Sequence, residues 1–153
     1  MEEKVGVGSE MVRGIRLRER LPAAVAVLIT IACGLAIRRY LPGAWAEHLG
    51  NVAWGVMWTF AMWTVAPRGR AAVLVGAAAA VVAGTELFQL TPYPARWSEV
   101  WIVARYTVGG AFELHDLAGG AAGAVLAGVS IWSWRGRDSG ASPPLGARDT
   151  LKP

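Results

Sequence analysis

Cysteine and charge are both scarce in this chain. Cys33 stands alone among 153 residues, which excludes an intrachain disulfide and any cysteine-rich metal site. It lies within an apolar run, where a thiol acts as a small hydrophobe. Charged residues make up 17% of the chain against 54% hydrophobic, and no segment carries the continuous charged face that a soluble helical bundle needs. Strong catalytic signatures are also missing: no nucleophile elbow, phosphate-binding loop or zinc-protease helix occurs, so no catalytic residue and no cofactor is assigned. There is no internal repeat of the kind that marks transporters built from paired halves. The net charge of +4 comes from basic residues that flank apolar runs instead of forming one stripe, which argues against nucleic acid as a partner and for membrane orientation.

What remains is a set of apolar runs separated by short polar connectors. Residues 1–20 form a polar arm with Lys4, Arg13, Arg16, Arg18 and Arg20 and no apolar periodicity, expected to be a loose cytoplasmic tail whose last turn can extend the first helix at the headgroups. Membrane spans are expected at 21–37, 44–66, 71–90 and 112–134. Pro42-Gly43 and Pro67-Arg68-Gly69-Arg70 mark the first two turns, and Thr91-Pro92-Tyr93-Pro94 stops the third span. Between the third and fourth spans, 95–107 is too short and too charged to cross. Trp97, Trp101 and Ala104 share one helical face there, so the segment is either an amphipathic interfacial helix or a re-entrant one. Residues 135–153 are Ser, Gly and Pro with scattered charge, and are expected to be a disordered tail. The expected fold is therefore all-α, an integral membrane bundle of four transmembrane helices within 21–134 plus the short helix.

Orientation follows from the basic residues. With four spans, eleven Lys and Arg lie on the side of the termini and four (Arg38, Arg39, Arg96 and Arg105) on the other, which places both termini in the cytoplasm. Glu47, Asn51, Glu86, Gln89, Arg96, Arg105 and Asp116 then gather at the outer face. Glu86 and Gln89 are three apart and share a helix face, as do Glu47 and Asn51, four apart. A carboxylate at membrane depth costs on the order of 3 kcal/mol on insertion, so these acids need partners. Arg96 or Arg105 would supply them through forked guanidinium–carboxylate pairs. Such a cluster is either a structural clasp between the third and fourth spans or an open polar pocket. His115 beside Asp116, with Glu113 near, suggests a metal or an acid–base pair. Neighbours on a helix point about 100° apart, however, so no metal site is expected. Gly119 and Gly123, four apart, are expected to pack closely against another helix.

The run Glu86-Leu87-Phe88-Gln89-Leu90, followed by Pro and Arg, then Phe112, Asp116-Leu117 and a glycine-rich helix, resembles the signature of the VanZ-like small membrane proteins, in an uncharacterised bacterial branch. The resemblance extends over 20–134, its specific part over about 40 residues around Glu86, Gln89, Arg96 or Arg105, Asp116 and Gly123. Gly119-Gly120 departs from the polar or aromatic residue that often follows Asp-Leu in that family, and two arginines compete for one position. The resemblance implies a multi-pass protein of the bacterial inner membrane. The name-giving member is associated with resistance to a lipoglycopeptide antibiotic. The corresponding expectation is an envelope protein with an outward polar cluster that binds a lipid-linked or amphiphilic ligand. The alternatives are an assembly partner of another membrane protein or of its own copies, and a small oligomeric transporter.

Overall fold

The computed structural model describes residues 3–101 and 113–140. Among them the chain is all-helical: α1 Glu3–Tyr40, α2 Ala44–Val65, α3 Ala71–Gln89, α4 Tyr93–Val100 and α5 Leu114–Gly140. Three stretches are long and apolar enough to cross a membrane, Arg20–Tyr40 in α1, Ala71–Gln89 in α3 and Leu114–Gly136 in α5. Helix α2 is not among them, because Glu47, His48, Asn51 and its tryptophans lower its hydropathy.

Two expected boundaries move. The arm at 1–20 is not a loose tail over its described part, since α1 is already helical from Glu3. At the other end α5 continues past Trp134 to Gly140, so the first residues of the expected tail are helical. Residues 141–153 lie outside the described residues. The short helix is also shorter than 95–107: α4 ends at Val100 and Trp101 is extended. The remainder of that segment, 102–112, lies outside the described residues.

Helix α2 is the centre of the bundle. It packs against α1 on one side and α5 on the other, and also meets α3; α5 rests on α3 as well, and α4 touches only α3. Gly43, with φ 56°, lets the chain reverse between α1 and α2. The α2–α5 contact brings backbone against backbone. A Cβ on Gly55 would strike the carbonyl of Gly120, and one on Gly123 would strike the carbonyl of Val52. Gly119 lies against Asn51. Thr59, fully buried in this seam, donates its hydroxyl to the Gly55 carbonyl at 3.0 Å and lies 3.5 Å from that of Ala124. Small residues at four-residue spacing make this approach possible, and dispersion over the closely matched backbones replaces the hydrophobic drive that lipid does not supply.

The buried residues of α3 are Leu74, Ala78, Val82 and Glu86, each four apart. They form one stripe facing α5, and its last member is a carboxylate. The two ends of the bundle differ. At one end Arg135 of α5 donates to the carbonyls of Gly69, at 2.6 Å, and of Pro67, and its guanidinium lies over the Trp63 ring. That ties α5 to the α2–α3 turn beside Arg68 and Arg70. At the opposite end the acids and amides collect. Most of the large apolar side chains described on α1, between Leu21 and Tyr40, and many on α5, including Leu28, Leu35, Val125, Leu126 and Val129, are exposed, as expected for surfaces that lipid covers.

Candidate functional site

Three helices converge at the acidic end. Asn51, two turns into α2, donates its side-chain amide to Oδ1 of Asp116 in the first turn of α5. Glu47, one turn earlier on α2, faces the same carboxylate. From α3, Glu86 faces both Asp116 and Glu113, and the Glu113 backbone amide lies beside its carboxyl. A carboxylate at this place complements the partial positive charge of the α5 N-terminus. Gln89, one turn along, donates to Oε1 of Glu86 at 3.5 Å. Glu86 is 7% exposed, and its other oxygen, Oε2, is buried with no hydrogen-bond partner among the described residues.

The rim is formed by histidines. His115 Nε2 lies 2.5 Å from Oε2 of Glu113, and its ring meets that of His48 edge to face at 5.4 Å. Glu113, His115 and Asp116 place their ligand atoms within 4.8 Å of one another. Glu113 precedes α5, and His115 and Asp116 lie in its first turn; the 100° between these two neighbours still leaves their ligand atoms within that distance.

Of the residues singled out from the sequence, Asn51, Glu86, Gln89 and Asp116 are brought together, with Glu47 and His115 at the edge. Arg96 is exposed on α4 and forms no ion pair with Glu86 or Asp116 among the described residues; Arg105 lies outside them. The bonds observed around these acids are therefore carboxylate–amide, from Asn51 and Gln89, where the spacing suggested carboxylate–guanidinium. Arg38, at the end of α1, lies against Gly50 of α2 instead. Helix α4 is fastened to α3 by the Phe88 and Trp97 rings, 5.4 Å apart, which leaves Arg96 on its outer side. His48 and Gly55 went unrecognised in the sequence. The signal for Gly55 was its four-residue spacing to Thr59; for His48 it was its place one residue after Glu47.

A family model described as "Protein of unknown function (DUF2809)" matches residues 40–124. The match begins at the last residue of α1 and ends within α5, so it contains the whole polar cluster and the glycine seam. No curated protein and no solved structure matches the chain.

Proposed function

Because the chain belongs to the DUF2809 family, whose function is unknown, we propose that it is a four-span, VanZ-like protein of the bacterial inner membrane whose outer polar cluster binds the head of an amphiphilic or lipid-linked ligand. Four spans are supported by connection lengths. Only 41–43 separate α1 from α2 and only 66–70 separate α2 from α3. Such connectors cannot cross a bilayer, and α2 runs antiparallel along α1, with Gly34 against Ala53 and Arg38 against Gly50, which favours a span for α2 beside that of α1. Its 22 residues extend about 33 Å, enough for the roughly 30 Å hydrocarbon layer. Exposed Trp45, Trp97 and Trp101 at the acidic end, and Trp132 and Trp134 at the other, suit two headgroup belts. The excess of Lys and Arg on the side of the termini favours cytoplasmic termini and an outward cluster. The exposed Arg96, Trp97 and Glu99 of α4 favour an interfacial position over a re-entrant one.

The observation that carries the binding reading is the unpartnered Oε2 of Glu86. Buried polar atoms are almost always satisfied, and a side chain placed only to fasten helices would be satisfied too. Carboxylates, amides and imidazoles complement hydroxyl, amino or cationic groups on a ligand. A second reading, the structural clasp, is favoured by the Asn51–Asp116 bond between α2 and α5.

Glu86→Gln separates the two readings, since it keeps shape and hydrogen bonding but removes the charge. Native mass spectrometry of detergent-purified protein is expected to show a co-purified lipid-sized adduct on the unmodified chain. That adduct is lost in Glu86→Gln, while the thermal midpoint moves by less than about 4 °C, equivalent to about 1 kcal/mol for a chain of this size. An unchanged adduct with a large fall in midpoint would support the clasp and sink the binding reading.

A further inference from the structure

We propose that Glu113, His115 and Asp116 form a site for a divalent transition-metal cation at the start of α5, with the buried carboxylate of Glu86 behind it at the end of α3. The proposal rests on reading the cluster as a binding site and names the ion that would prepare it for a ligand. The first observation is convergence: Glu113, His115 and Asp116 offer three ligand atoms within 4.8 Å of one another. Ligands of one ion at about 2.0–2.2 Å from it stand some 3–4 Å apart, so small side-chain rotations close the set. The second observation is independent of that group and comes from another helix. Glu86 is more than nine-tenths buried, has an unpartnered Oε2, and faces Glu113 and Asp116 from α3.

Charge points the same way. Glu47, Glu86, Glu113 and Asp116 lie together with His48 and His115. Among the described residues, Arg38, Arg39 and Arg96 form no ion pair with these carboxylates. Four acids so close, beside an apolar bundle, call for a compensating cation. Several carboxylates with one imidazole suit a borderline ion such as Zn²⁺ better than Mg²⁺ or Ca²⁺, which prefer oxygen alone. His48 stands edge-on to His115 and would fix the orientation of the ligating ring, as partners of metal-bound histidines commonly do. Held at the mouth of the cluster, such an ion converts an acidic pocket into one that accepts an anionic head, a phosphate or carboxylate, from the lipid side.

The test uses Zn²⁺ alone. The full chain, purified in detergent, stripped with chelator and without added lipid, is titrated calorimetrically. Saturable binding of about one ion per chain is expected, weakened at least about tenfold by Glu113→Gln and by His115→Ala and unchanged by Glu99→Gln on α4. Glu113 and His115 are exposed, so these variants are expected to fold even if Glu86→Gln does not. Absence of saturable binding, or binding equally tight in Glu113→Gln and His115→Ala, would overturn the proposal. Repeating the adduct measurement with chelator present keeps the outcomes apart: an adduct that persists while zinc fails to bind leaves the amphiphile reading standing without the metal.

Discussion

Gly55→Leu and Gly123→Leu are each expected to abolish recovery of folded protein, the largest single-residue effects in the bundle. The first Cβ meets the Gly120 carbonyl and the second meets the Val52 carbonyl, and both obstacles are backbone, which cannot rotate away. Relief would require α2 and α5 to separate along their whole seam, losing the Thr59 contact with Ala124 and the Asn51–Asp116 bond together. Overpacking of a core costs about 1–3 kcal/mol when side chains can adjust and more when backbone must move, which approaches the whole stability of many domains. Gly76 supplies the control. It lies in α3 with open space where its Cβ would be, so Gly76→Ala is expected to be neutral or stabilising by up to about 1 kcal/mol, the helix-propensity gain of Ala over Gly. Yield of monodisperse protein by size exclusion, followed by thermal midpoint, reads all three.

The second large effect concerns the acids. Asn51→Asp replaces the donor to Asp116 with another carboxylate of the same shape. The bond is lost and like charges face each other beside Glu47 and Glu86, which also face Asp116. The bond is partly buried, and losing a hydrogen bond to a charged group there costs about 1.5 kcal/mol, the lower end of the usual range, before repulsion is added. Asp116→Asn keeps a donor–acceptor pair available and is expected to cost less. The exchange Asn51→Asp with Asp116→Asn restores one acid and one amide and is expected to recover most of the loss in a double-mutant cycle. If Asn51→Asp melted at the same temperature as the unmodified chain, the bond would carry no weight in the bundle.

Both effects depend on a seam that the sequence announced only in part. Gly119 and Gly123 stood out by their spacing and do lie against α2, yet the tightest approach includes Gly55 and Gly120. Spacing identifies a small-residue face, but which partner that face meets depends on helix rotation, which only packing fixes. The apolar runs were legible because lipid-facing surfaces need an unbroken apolar stretch: α3, expected over 71–90, forms over Ala71–Gln89. The helical arm was not, because 3–20 carries Gly6, Gly8 and Gly14 and has no apolar stripe that would reveal a helix.

The acids were legible for a related reason. Glu86 interrupts an apolar stripe and is therefore conspicuous, and the reversal of direction at each turn brings it near Asp116 and Asn51. Pairing was less legible, since arginine is the obvious partner for a carboxylate in sequence, while the geometry sets amides there and leaves Arg96 on the surface of α4. Glu113, His115 and Asp116 stand adjacent in the sequence, but how closely their ligand atoms approach depends on where α5 begins. Glu113 precedes the helix, while His115 and Asp116 lie in its first turn.

The central claim, an acidic cluster that opens to the outer water boundary of a four-span bundle, is tested most directly by cysteine accessibility in intact cells. Cys33 is exposed and is first replaced by Ser; single cysteines are then placed as Glu47→Cys, Glu99→Cys and Arg68→Cys. A membrane-impermeant maleimide added from outside is predicted to label the first two positions, and to label the third only after permeabilisation. Labelling of Arg68→Cys from outside, with Glu47→Cys and Glu99→Cys protected until the membrane is opened, would place the cluster in the cytoplasm and contradict the account.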